Sequence, residues 1–153
     1  MSKRREGRET AVQLLFSREF TPGESEHDVE GFFKIHTAKG EVRAHAETLY
    51  RGVSSRLAEL DALIEPVLEN FRMERLSGVD RNILRVALYE MHHCPEVPPV
   101  VAISEAVEIA KRFGGDQSGR FVNGVLDKLK QSVQRPLREA ARRAKTPRQQ
   151  DVS

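Results

Sequence analysis

Four cations, Lys3, Arg4, Arg5 and Arg8, stand within the first eight residues and lead into an apolar run. A basic arm running into an ordered helix can track phosphates while the helix fixes its orientation. Lys111, Arg112 and Arg120 extend that patch if the first and last helices pack together. Three other constellations promise less. HisHisCys at 92–94 offers metal-capable side chains, but neighbours on a helix end diverge by about 100° and do not converge on one tetrahedral ion. GGDQSGR at 114–120 mimics a phosphate loop, yet it follows a helix rather than a strand. It also has Arg120 and Phe121 where that motif needs lysine and a hydroxyl. Glu105 and Glu108 share a helix with Lys111 and Arg112, the spacing of ordinary surface pairing rather than of a catalytic pair. No serine or cysteine has a histidine and acid set around it, so the expectation is a protein that is not an enzyme, with no metal and no cofactor.

The elements that must position these groups read as helices. Val12, Leu15 and Phe16 repeat at helical spacing and predict a first helix over 7–20, ended by Thr21, Pro22 and Gly23. A weaker pattern through Val29, Phe32, Phe33 and Ile35 predicts a short helix over 24–37. Apolar steps of three and four from Val42 to Ile64 predict the longest helix, over 41–65, broken at Pro66. There a short helix through Val67, Leu68 and Phe71 begins. Ser77 and Asp80 are candidate caps for a helix with the stripe Ile83, Leu84, Ala87, Leu88 and Met91. The stiff CysProGluValProPro connector, 94–99, leads to a helix over 100–113, which Gly114 and Gly115 stop. A last helix spans 117–132, and Pro136 ends the pattern. Period-two alternation is nowhere sustained. The expected fold is all-α, with about seven helices in one domain over 1–134 and a basic, disordered tail over 135–153.

With 153 residues, 39% hydrophobic and 31% charged, the chain fits a soluble globular domain. It has no apolar run long enough to span a membrane, and its N-terminus lacks the apolar core of a secretory signal. A lone cysteine, Cys94, agrees with a reducing, cytoplasmic setting. Net charge is +2, but it is segregated: residues 1–20 hold five basic and three acidic groups, residues 128–153 eight and two, and the remainder twelve and eighteen. Basic ends on an acidic body suit a polyanion at the ends and a basic protein on the body.

One segment, FVNGVLDK at 121–128, sets Asn123 and Gly124 in the middle of an apolar helix, where they cost roughly 0.7 and 1 kcal/mol relative to alanine. Together with RREGRETAVQLLF, GVDRNILRVALYEM and PPVVAISEAVEIAKRFGGDQSGRFVNGVLDK, it resembles the NusB family of transcription antitermination factors over about residues 4–130. The resemblance implies two helical subdomains. It also implies binding to the boxA element of nascent ribosomal RNA with NusE, a small-subunit ribosomal protein, and through that complex with RNA polymerase and other Nus factors. Transferred by position, Arg4, Arg5 and Arg8 match the arginine-rich opening and are the leading RNA contacts, although Glu6 falls where a further basic residue is expected.

Phe16, at a position where the family often has tyrosine, is assigned with Asp80, Arg81 and Arg85 to the surface facing NusE. Arg120 would hold a phosphate, while Phe121 either stacks on a base or belongs to the core. Asn123 is expected to turn inward and hydrogen-bond a neighbouring helix end, with Gly124 allowing close helix approach. Two rival readings are a stand-alone targeting domain of a ribosomal RNA methyltransferase system and a homodimer that buries its RNA face.

Overall fold

A computed structural model of the chain describes residues 2–21, 26–36, 40–70 and 72–133. The six α-helices among them are α1 (Lys3–Phe20), α2 (Glu26–His36), α3 (Glu41–Ser55), α4 (Leu57–Ile64), α5 (Gly78–His93) and α6 (Pro99–Leu129), and the described residues contain no strand. Single 3-10 turns follow at Glu65–Val67, Met73–Arg75 and Lys130–Ser132. The expected basic tail, Phe71, and the Pro22–Gly23 stop lie outside the described residues.

The first helix starts four residues earlier than its apolar pattern suggested. The Ser2 side chain accepts a hydrogen bond from the Arg5 amide at 3.0 Å, capping a helix that includes Lys3, Arg4 and Arg5. The basic arm is therefore a helical turn with fixed side-chain directions. The long helix expected over 41–65 is instead two, separated at Arg56 (φ −128, ψ 23). Ser55 Oγ donates to the Gly52 carbonyl at 3.1 Å, the local bonding by which serine competes with helix continuation. The apolar stripe runs through the break because Val53, Leu60 and Ile64 remain fully buried. Pro66 starts only a single 3-10 turn rather than a helix reaching residue 71.

Ser77 caps α5, accepting from the Asp80 amide at 3.1 Å. Pro99 opens α6 with a preset φ. Gly115 then divides α6, since its φ of 85° and ψ of −176° are open to glycine and strained for other residues. Counting the two segments of α6 separately gives seven helical pieces.

Helix α1 packs chiefly on α3, and α5 on α6, while an α1–α5 contact joins the pairs. These are the two expected halves, but their buried apolar side chains form one continuous core cluster. No helix among the described residues is long and apolar enough to cross a membrane.

Candidate nucleic-acid interface

All four cations of the N-terminal cluster lie on the first two turns of α1, and the core stripe decides where the arginines point. Ala11, Val12 and Leu15 face inward, and Arg8 stands on the same stripe, one turn earlier. Arg8 is accordingly 4% exposed. Its Nε donates to Glu90 at 2.8 Å, and its NH1 lies 3.5 Å from Glu105. This corrects the sequence reading of Arg8 as a leading RNA contact, because its guanidinium is consumed inside the fold. Arg5, partly exposed and about one turn before Arg8, donates through Nε and NH2 to both oxygens of Glu105 at 2.8 Å. The hydrogen bond from Arg5 holds the Glu105 pKa below the usual carboxylate range against the opposing effect of burial. Arg4 is half-exposed, with Glu96 at 3.8 Å and the His45 ring at 3.4 Å.

The first and last helices do pack together at this patch. Arg112 of α6 reaches Glu9 of α1 at 3.3 Å, while Lys111 pairs with Glu108 at 3.5 Å. Each arginine or lysine named here thus has a carboxylate partner. Those pairings differ greatly in strength. The exposed Arg4–Glu96 pair is worth about 0–1 kcal/mol, whereas stripping Arg8 from the buried Glu90 costs about 3–5 kcal/mol. Burial pushes the Glu90 pKa up, and Arg8 opposes that shift. His45 completes the buried set, with Nε2 3.7 Å from Glu90 and a pKa lowered to about 4 by burial and then by Arg4 and Arg8.

Beyond Gly115 the second segment of α6 presents a different surface. Val122, Val125, Leu126 and Leu129 are buried, so the helical repeat sends Asn123 and Gly124 to solvent. Both are exposed, and a Cβ added at Gly124 would meet no atom within 4 Å. This overturns the expectation of an inward Asn123 and a tightly packed Gly124. Phe121 is half-buried: it packs against the core and also borders two clefts. One cleft lies between this segment and residues 67–70, the other between it and the start of α5. Arg120 is exposed beside it, with no hydrogen bond or ion pair among the described residues.

The residues assigned by position to a protein partner fall around the C-terminal end of α1. Phe16 is half-buried, meets Phe20 edge-on at 5.0 Å, and lies against Gly78, where a Cβ would come within 2.4 Å of its ring. Phe20 is 70% exposed and was not singled out in the sequence. Arg81 and Arg85 are largely turned to internal work. Arg81 donates to Glu19 at 2.6 and 3.1 Å and to the Met73 and Leu76 carbonyls at 2.8 Å. Arg85 donates to Asp61 at 2.7 and 2.8 Å and to Glu19 at 3.2 Å.

Burial raises the Glu19 pKa, but hydrogen bonds from Arg81 and Asn82 outweigh it and hold the group below its ordinary value. Asp80 accepts from Ser118 Oγ at 3.2 Å, tying the start of α5 to α6. Its pKa is raised by burial despite the Ser118 and Ser77 hydrogen bonds. Glu105, read from its spacing as an ordinary surface pair with Lys111 and Arg112, instead accepts from Arg5 and Arg8. Glu9, Glu19, Asp61 and Glu90 were missed as partners; their only sequence signal was position on or beside a buried helical stripe.

His92 and His93 diverge, the first 2.9 Å from Ser132 Oγ and the second 3.7 Å from Glu59. No group of three or more His, Cys, Asp or Glu among the described residues is arranged to hold a metal ion.

This arrangement can be set beside known proteins. Residues 5–131 match the model of the NusB family. A transcription antitermination protein NusB from Desulfotalea psychrophila is 47% identical over 141 residues, spanning 88% of this chain and 100% of the relative. Its namesake from Geobacillus kaustophilus is 42% identical over 136 residues, spanning 87% and 99%. Among solved structures, T. maritima NusB aligns with a TM-score of 0.75 and 36% identity over 87% of this chain and 93% of that one. A crystal structure of antitermination factors NusB and NusE in complex with dsRNA aligns with a TM-score of 0.74 and 25% identity, covering 86% of this chain and 98% of that one.

Proposed function

The chain belongs to the NusB family, and on that premise we propose that it is a non-enzymatic transcription antitermination factor binding boxA-type single-stranded RNA together with NusE. In this reading the RNA belongs to nascent ribosomal transcripts, and the assembled pair joins RNA polymerase with other Nus factors to keep transcription processive. The observation that carries the RNA-binding part is the juxtaposition on α6 of Arg120, without a partner among the described residues, and the cleft-bordering ring of Phe121. A cation for phosphate beside an aromatic for a base is how proteins hold unpaired strands. The solved relative with NusE contains dsRNA. The aromatic edge favours an unpaired strand here, because a base within a duplex is already stacked and its face is unavailable.

Arg4 and Lys111 supply a secondary positive border, since their exposed pairs can be exchanged for phosphates at little cost, whereas Arg112 is tied to the buried Glu9. Arg5 contributes less while Glu105 holds its fork, and Arg8 acts from the interior by fixing Glu90 and Glu105. NusE meets Phe16, Phe20 and Asp80, with Arg81 and Arg85 bracing Glu19 behind them. The test is titration of labelled boxA RNA with this protein alone, with NusE alone and with both, using single-stranded and duplex competitors. Cooperative binding that single strands compete away is expected. Additive binding by the two proteins, or preferential competition by duplex, would count against the reading.

A further inference from the structure

His45 sits where α3 crosses the first turns of α1. A Cβ added at Gly7 would fall within 3.0 Å of the His45 ring and 3.3 Å of the Val42 carbonyl, so the glycine between Arg4 and Arg8 is what lets α3 come this close. The imidazole is nine-tenths buried, and its two nitrogens turn to different neighbours. Arg4 NH1 lies 3.4 Å from Nδ1, while Nε2 faces Glu90 across 3.7 Å. A guanidinium only donates, so Nδ1 accepts and the ring proton belongs on Nε2, directed at the carboxylate. Arg8 holds the other oxygen of Glu90 at 2.8 Å, which keeps that carboxylate in place.

Arg4 commits one corner of its guanidinium to these contacts. Glu96, at 3.8 Å, also approaches NH1, and the side chain is 52% exposed. Nε and NH2 carry no bond among the described residues. Arg5 shows the opposite state, with Nε and NH2 both given to Glu105. An arginine edge with two free parallel donors is what binds two oxygens of one phosphate.

We propose that His45 is a positioning residue for RNA binding: by accepting from NH1 it holds Arg4 so that the Nε–NH2 edge is presented to one backbone phosphate. The inference rests on the RNA-binding reading and adds to it a residue that itself touches no RNA. A half-exposed arginine samples many rotamers, and an anchor at NH1 removes some of that freedom before the phosphate arrives. The anchor requires a neutral ring, since a protonated imidazole has no acceptor left. Burial, with Arg4 and Arg8 of α1 beside the ring, keeps it neutral although Glu90 of α5 faces it.

Asparagine and glutamine separate positioning from packing, because the first places an amide near the Nδ1 position and the second near Nε2. The test titrates labelled single-stranded boxA RNA at low salt, with NusE present, against each full-length variant, with thermal unfolding measured in parallel. Arg4→Ala and His45→Gln are each expected to bind about threefold more weakly, and the double variant no more weakly than either alone. His45→Asn should recover most of that loss even though it gives up the Glu90 contact and melts lower. Arg4→Lys, a change at a half-exposed position that leaves the fold intact, should bind as weakly as Arg4→Ala, because an ammonium has no second parallel donor. Losses that add in the double variant, or wild-type affinity in His45→Gln beside a weakened Arg4→Ala, would overturn the positioning role. Wild-type affinity in Arg4→Ala or Arg4→Lys would overturn it too, by leaving His45 nothing to position. Failure of the wild-type protein to bind the RNA would instead remove the reading on which the inference rests.

Discussion

The N-terminal arginine cluster and the second segment of α6 both carry basic residues, yet they spend them differently. At the first, Arg4, Arg5, Arg8, Lys111 and Arg112 each stand beside a carboxylate, in pairs that range from 3.8 Å and half-exposed to 2.8 Å and buried. At the second, Lys128 pairs with Glu69 at 2.7 Å, but Arg120 has no partner among the described residues and adjoins an aromatic ring with clefts on two sides. A count of positive residues ranks the N-terminal cluster first. Counter-ions reverse that ranking, because a guanidinium already held by a carboxylate gains little by exchanging it for a phosphate.

The sharpest way to break this comparison is Arg8→Ala. It should destabilise the fold by about 3–5 kcal/mol in urea or thermal unfolding, since it strands Glu90 in the core. Adding Glu90→Gln should restore part of the loss. A stable Arg8→Ala protein with specifically impaired RNA binding would return Arg8 to the interface. Next in size is Arg120→Ala, expected to weaken RNA binding by about 1.5–3 kcal/mol while changing stability by less than about 0.5 kcal/mol.

Glu105→Gln should have a smaller effect, tightening RNA binding by less than about 1 kcal/mol as Arg5 is partly freed. Weaker binding would instead make Glu105 a support that Arg5 needs.

A pH-dependent effect concerns His45, whose folded pKa of about 4 lies below the unfolded value near 6.5. The unfolded chain takes up the extra proton first as pH falls, so stability declines from about pH 6.5 toward 4. Glu90, with its pKa raised by burial, has the opposite sign, contributing stability that fades as pH rises. The difference between wild type and His45→Gln isolates the histidine: the variant should lose less stability over that window. Identical pH slopes would show that His45 is not held neutral.

Much of the fold was legible because its signals are local. The Ser77 cap, the proline start of α6 and the Gly115 break all follow from single residues with narrow conformational roles. The break at Arg56 was not, because the apolar stripe continues across it and serine bonding to a carbonyl leaves no periodic trace. At the candidate site the information was present but misweighted. Arg8 repeats with Ala11, Val12 and Leu15, and Asn123 and Gly124 lie opposite Val122, Val125 and Leu126, so helical spacing alone already places the first inside and the other two outside. Their chemistry suggested the reverse. The pairing of Arg5 with Glu105 and Arg112 with Glu9 spans about a hundred positions in sequence, and no short-range pattern reports it.

The most direct test is the salt dependence of boxA RNA binding for wild type, Arg120→Ala and Arg5→Ala measured side by side. A residue that neutralises a phosphate contributes close to one unit to the slope of log K against log salt. Arg120→Ala should flatten the slope by about one unit and Arg5→Ala should leave it nearly unchanged. A flattened slope in Arg5→Ala, with the wild-type slope kept in Arg120→Ala, would contradict the account and restore the N-terminal turn as the principal RNA contact.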